Sequence, residues 1–231
     1  MEFLSTLREI RQEWESSNQI RFILAGSIGL HLVLDQLRKE EGYTDKPTND
    51  MMNIPLGGMT EAETTLMCER YLEDEGIPRE APDAFSAHLY TKTEGLPLYI
   101  QYICEQIQNR KPAMATVGDI DLGLDKLMND TEIEWFRDAA KRIDDYYPTV
   151  DDKDIAHCVL DCLSNEEGLM TEDAIIDYVK SQISVERPRK VTEVLELLVQ
   201  DHYLCRATEP RRYAFTYRIM REWWRINRGQ D

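Results

Sequence analysis

Apolar positions recur along this chain mostly at helical spacing. Phe3, Leu4, Leu7, Ile10 and Trp14 line one face of a helix predicted over residues 3–14, which Ser16-Ser17-Asn18 then breaks. A short apolar run, Ile20 to Ala25, is closed by Gly26-Ser27. Its length and flanking breakers predict a buried strand of the kind found in a parallel sheet covered on both faces. No other segment before residue 200 reads as a strand, so either this run is not one or the rest of its sheet lies outside the chain. Residues 28–41 read as a helix and 41–50 as a polar loop. MMNIPLGGM (51–59) reads as an extended connector, because Pro55 and Gly57-Gly58 exclude regular helix.

Thr60-Glu61-Ala62-Glu63 is a capping box, in which the threonine oxygen and the glutamate carboxylate satisfy two otherwise orphan amides at a helix start. That helix is expected to run to about Asp74, with Gly76 just past its end. A second is predicted over 81–90. A third opens at Gly95-Leu96-Pro97, since a first-turn proline lacks an N–H that would have no helical partner anyway. Leu98, Ile100, Tyr102, Ile103 and Ile107 give it a broad apolar face. Residues 111–118 read as a linker, and a helix over 131–145 contributes Ile133, Trp135, Phe136 and Ile143.

From Asp151 the pattern becomes three short helices, at about 152–163, 172–182 (capped by Thr171) and 187–200. HYLCRA (202–207) and RYAFTY (212–217) then alternate around a proline-containing turn at 208–211, as in a β-hairpin. Helix-helix-helix-hairpin is the plan of a winged helix. The segment 218–225 closes as a short helix whose adjacent Trp223 and Trp224 are expected to pack back on the domain with at most one ring exposed.

At 231 residues and 42% hydrophobic, the chain can bury a core and form one or two domains. No apolar run approaches the roughly 20 residues needed to span a bilayer, and the first helix carries acids. A cytoplasmic protein without a membrane partner is expected. The five cysteines, Cys68, Cys104, Cys158, Cys162 and Cys205, are scattered among apolar residues and read as reduced core thiols. Cys158 and Cys162 share a helix face, but no second pair with zinc spacing accompanies them and His157 points elsewhere, so packing is expected and no metal.

The formal charge of −17 opposes nonspecific attraction to nucleic acid or anionic lipid. It is uneven. Residues 151–231 carry 12 Lys and Arg against 16 Asp and Glu, while residues 1–150 carry 15 against 28. Any nucleic-acid contact would come from Arg187, Arg189 and Lys190 at the start of the third C-terminal helix, and from Arg211 and Arg212 in the hairpin. A solvated face balancing nearby acids is the favoured reading, because Glu193 and Glu196 on the same helix repel phosphate.

No G-x-x-x-x-G-K-[ST] motif occurs, and no glycine precedes a lysine anywhere. Leu30 to Asp35 superficially suggests an apolar strand ending in a magnesium-binding aspartate, but Gly29 and Gln36-Leu37-Arg38-Lys39 extend it as helix. Ser27, His31 and Asp35, spaced by four, would lie in a row on one helix without an oxyanion hole, which favours a solvated or capping role over a triad.

The order of RFILAGSIGLHLVL (21–34), PLGGMTEAE (55–63), TKTEGLPLYIQYI (91–103), DHYLCRA (201–207) and RYAFTYRIMREWWR (212–225) resembles archaeal-type P-loop ATPases of the STAND division, relatives of the AAA+ ATPases. That family runs from P-loop through a magnesium-binding acidic strand and a sensor strand to a small helical lid and a winged helix. The resemblance covers nearly the whole chain, starting just before the sensor strand. It implies a mainly α fold with a small β component: a remnant of the α/β ATPase core (1–50), a helical lid (51–118), a linker helix (119–150) and a winged-helix domain (151–231). By position, Ser27 resembles the polar sensor facing the γ-phosphate, and Gly95 and Pro97 belong to a lid motif whose proline lies against adenine. Ser27 is equally suited to cap the helix that follows it.

Without the phosphate loop and acidic magnesium site, this chain alone is expected neither to hold ATP and Mg nor to hydrolyse ATP. Nucleotide and metal are expected in a full-length parent, where an upstream ATPase core is the first partner and a protein bound through the winged helix is favoured over DNA. The implied role is a regulatory switch. A DNA-binding winged-helix protein and a nucleotide-independent adaptor stand as the alternatives, each from a different class.

Overall fold

The computed structural model describes residues 56–129, 134–208 and 211–228, together with Thr6, Glu9, Ile10, Glu13, Ile23, Met52 and Ile54. Thr6, Glu9, Ile10 and Glu13 are helical, in keeping with the first periodic segment. The predicted strand over 20–25 is described at Ile23 alone, and there the expectation of burial fails. Ile23 has no sheet pairing and is 90% exposed, because no described strand lies beside it to cover it. The predicted helix over 28–41, and Ser27 with it, lies outside the described residues.

After an extended stretch through Leu56–Met59, helix α1 (Glu61–Asp74) starts at the capping box. The Glu63 amide donates to Thr60 Oγ1 at 3.3 Å and the Thr60 amide donates to Glu63 Oε2 at 2.8 Å. Gly76, at φ 66°, turns the chain out of the helix. Helix α2 (Pro82–Thr93) and helix α3 (Pro97–Arg110) both begin with proline, where the missing N–H costs nothing. Helix α4 (Val117–Asn129) occupies the end of the expected linker and the positions after it. It packs on α2 and α3, making a four-helix unit in which α1 also packs on α2 and α3. Gly123 lets α4 approach closely: a β-carbon there would come within 3.3 Å of Ile103 Cγ2.

Helix α5 (Trp135–Tyr146) leads into α6 (Val150–Ser164), capped by Thr149, whose side chain accepts from the Asp152 amide. A two-residue strand, β1 (Met170–Thr171), precedes α7 (Glu172–Gln182), which Thr171 caps as expected. Helix α8 (Pro188–Gln200), β2 (Leu204–Thr208), β3 (Arg211–Phe215) and α9 (Arg218–Arg228) complete the chain's described elements. The antiparallel sheet runs β1-β3-β2, with Met170 opposite Tyr213 and Cys205 opposite Ala214. The fold is mainly α with a small β component. Among the described residues no helix is long and apolar enough to cross a membrane.

Trp223 and Trp224 are both buried, which sharpens the expectation that at most one of these rings is exposed. Trp224 donates its Nε1–H to Asp161 Oδ1 at 2.6 Å, which satisfies the buried indole N–H. Cys68, Cys104, Cys158 and Cys162 are buried as free thiols, whereas Cys205, on the outer face of β2, is exposed and so departs from the core-thiol reading.

Candidate functional site

The loop between α2 and α3 is held in an unusual backbone conformation. Glu94 and Gly95 have φ of 51° and 72°, so two consecutive left-handed residues end α2 and aim Leu96-Pro97 into α3. The connector 56–59 crosses directly over this loop, where the Met59 amide donates to Gly95 O at 2.7 Å. A β-carbon at Gly95 would lie 2.0 Å from Met59 O, and one at Gly58 would lie 2.1 Å from Glu94 O. Glycine is required at both positions by the crossing itself. Gly95 is buried beneath it, whereas Pro97 is exposed, as is Leu98 after it at 43%.

This loop lies at the seam between the four-helix unit and the elements that follow. Tyr217 stands just before α9 and offers no short side-chain acceptor for the helix's first amides. Glu94 fills that role from 125 positions away, its Oε2 accepting the Ile219 amide at 3.4 Å. Burial pushes the Glu94 carboxyl above its usual pKa; the Ile219 and Arg218 amides and the Arg218 guanidinium pull the other way, and Glu222 adds to the rise. An acidic residue beside the glycine was the signal available in the sequence, but nothing local identified its partner.

Aromatic rings carry the seam inward. Tyr99, two residues into α3 from Pro97, stacks on Phe136 of α5 with centroids 5.2 Å apart. Phe136 stacks in turn on Trp223 at 5.4 Å. Trp135 meets Tyr102 edge-on at 5.8 Å. These rings join α3, α5 and α9 into one continuous core.

The basic residues singled out in the C-terminal part are largely engaged. Lys190 Nζ lies 2.5 Å from Asp152 Oδ1, a carboxylate only 4% exposed. Arg189 pairs with Glu193 at 3.2 Å and Arg211 with Glu172 at 3.5 Å. Arg187 and Arg212 are exposed. The start of α8 and the loop before it border a cavity of about 560 Å³ whose lining mixes Asp151, Asp154 and Glu193 with Arg187, Arg189 and Lys190. Such alternation gives no single-sign field for a phosphate backbone.

Cys162 Sγ contacts Met170 Sδ at 3.7 Å, and burial raises the Cys158 and Cys162 thiols to about 11 and about 12. His157 turns toward Asp144, with its Nε2 2.8 Å from Oδ1, and stacks on Trp224. Ser27, His31 and Asp35 lie outside the described residues.

No protein-family model and no curated protein matches the sequence. Among solved structures the chain is similar to a Walker-type ATPase of Pyrococcus abyssi, with a TM-score of 0.53, 13% identity and coverage of 86% of this chain. This chain spans 51% of that structure, about half its length. Two mutants of RuvB from Thermotoga maritima align at a TM-score of 0.33 and 15% identity over 81% of this chain and 55% of theirs, too distant to carry an argument. The first of these likenesses shows a shared fold over about half the length of that structure.

Proposed function

We propose that this chain is the sensor, helical-lid and winged-helix portion of a STAND-type ATPase, acting as a nucleotide-state sensor and interaction module. In this reading residues 51–118, with α1–α3, form the lid, α4 and α5 belong to the linker over 119–150, and residues 151–231, with α6–α8 and the antiparallel sheet, form the winged helix. The observation that carries it is the placement of Gly95-Leu96-Pro97: an exposed proline, set at the first turn of α3 by two left-handed residues, lies at the seam between the two units. A base held against Pro97 would touch the part of the molecule where a small shift alters how the C-terminal unit sits. Ser27 would supply the neutral hydroxyl toward the γ-phosphate. ATP and Mg would be held by the core of the parent protein, and this chain alone would not turn ATP over, since it has no GK[ST] sequence.

A protein partner fits the winged helix better than DNA. Three of the five cations placed there are already paired with carboxylates, one of them buried.

The test is equilibrium binding of a fluorescent ATP analogue to the full-length gene product, as wild type and as Pro97→Glu, with ATPase assays of this chain by itself. The expected results are binding by the full-length protein, a loss of about tenfold or more in affinity on placing a carboxylate against the base, and no turnover by this chain above a control protein. Equal affinity in the Pro97 variant, or turnover by this chain in a preparation free of contaminating ATPase, would overturn the reading. Duplex-DNA binding that weakens steeply with salt and with loss of Arg187 or Arg212 would favour a DNA-binding winged helix instead.

A further inference from the structure

Helix α9 is contacted from two sides. Ile219, Trp223 and Asn227, spaced by four, form one stripe along it. The Ile219 amide is accepted by Glu94 of the α2–α3 loop, Trp223 stacks on Phe136, and Asn227 Nδ2 donates to Met128 O of α4 at 3.5 Å. A second set of side chains faces α6 and the turn after it. Trp224 Nε1 donates to Asp161, Arg228 Nε lies 3.5 Å from that carboxylate, and Arg221 Nη1 donates to Glu166 O at 2.9 Å.

The first turn of α9 and the turn that follows it are secured differently. Trp223 and Trp224 are 7% and 0% exposed and lose large contact areas if the helix leaves. In the first turn the Ile219 side chain is buried, and its amide donates to the half-buried Glu94 carboxylate at 3.4 Å, the hydrogen bond that ties this turn to the α2–α3 loop. Glu94 is itself positioned by the loop: Gly95 O accepts the Met59 amide, and the Leu96 amide returns to Thr93 O at 3.0 Å. Displacing Gly95 therefore moves the backbone from which the Glu94 carboxylate reaches α9.

We infer that Glu94 is a latch between the Gly95–Pro97 loop and α9, such that displacing the loop releases the Ile219 amide and loosens the first turn of α9 while Trp223 and Trp224 hold the remainder as a pivot. The motion is then a tilt of one helix end and not a separation of the two units. The inference rests on the nucleotide reading only for what moves the loop in the cell, and its test needs no nucleotide.

Hydrogen-deuterium exchange of the 218–221 amides is followed in wild type, Glu94→Ala, Gly95→Ala, the double variant and Glu94→Asp. A methyl group at Gly95 must push the crossing connector away, because it would meet Met59 O at 2.0 Å. Glu94→Ala and Gly95→Ala are each expected to speed exchange in that turn about tenfold while α8 stays unchanged. The double variant is expected to go no further than Glu94→Ala, and Glu94→Asp is expected to restore part of the protection. Unchanged exchange in Glu94→Ala, an equal rise in α8, or a Gly95→Ala effect that persists in full without Glu94 would each overturn the latch. Should Gly95→Ala not fold, Gly58→Ala takes its place, since its methyl group would press on Glu94 O itself, and the same outcomes decide. A full-length protein that binds no nucleotide would sink the proposed function and leave this test as it stands.

Discussion

Phe136 and Trp223 lie nearly parallel, with their ring planes 18° apart and centroids 5.4 Å apart, although one belongs to the first helix after the four-helix unit and the other to α9. Since Phe136 also stacks on Tyr99, removing either ring breaks the file that joins α3 to α9. A double-mutant cycle of Phe136→Leu and Trp223→Leu in urea is expected to return a coupling of about 0.5–1.5 kcal/mol, the size of an aromatic pair beyond its buried area. A coupling indistinguishable from zero would mean that the rings fill space without acting on each other.

The capping box makes the start of α1 sensitive to acid. Hydrogen bonds from Thr60 hold the Glu63 carboxyl below its usual 4.5. A depressed folded pKa means that the contribution is present above the unfolded value and is lost as pH falls through the folded one. Thr60→Ala is expected to cost about 1 kcal/mol at pH 7. That cost should shrink as the pH is taken below 4.5, read by chemical denaturation at each pH. A cost that does not change with pH would show that the carboxylate is not part of the cap.

How much of this fold was readable in the sequence depended on the range of the interactions. Thr60 with Glu63, Thr171 before α7 and Pro97 at the start of α3 declare themselves within four residues, so these helix starts fell where expected. Helix α4 did not, because Gly118 and Gly123 lower its intrinsic helicity and its reason to be helical is packing such as that of Gly123 on Ile103, twenty positions away. Strand β1 was hidden for a related reason: two residues become a strand only through Arg212 and Tyr213, forty positions on. At the candidate site, Gly95 and Pro97 were legible as a motif. Glu94 was not, since its role is set by an amide on a distant helix.

Lys190, Arg187 and Arg212 were grouped in the sequence by charge, and the structure separates them. Lys190→Ala leaves Asp152 buried with its Thr149 hydrogen bonds but without its cation, and is expected to cost about 1–3 kcal/mol. Arg187→Ala and Arg212→Ala are expected to stay within about 0.5 kcal/mol, as exposed surface substitutions do. Thermal and urea unfolding of the three variants side by side makes the comparison, and equal costs would contradict the separation.

Exposure divides the cysteines in the same way. Cys205 is open to solvent, while Cys158 and Cys162 are buried with raised thiol pKa values. A chromogenic disulfide reagent under native conditions at pH 8 is expected to label Cys205 promptly and the other four only as the chain opens. Fast labelling that survives Cys205→Ser would show that one of the buried thiols is reached without unfolding.

The stitching of α9 also bears on the order in which the molecule folds. Its contacts reach back 125 positions to Glu94 and 99 to Met128, so each requires the closure of a long loop, whereas the four-helix unit and the hairpin close on much nearer neighbours. Local structure therefore assembles on both sides before the joint between them is made. In refolding, the joint should be the slow and late event, and quenching of the Trp223 signal should lag behind the gain of helix.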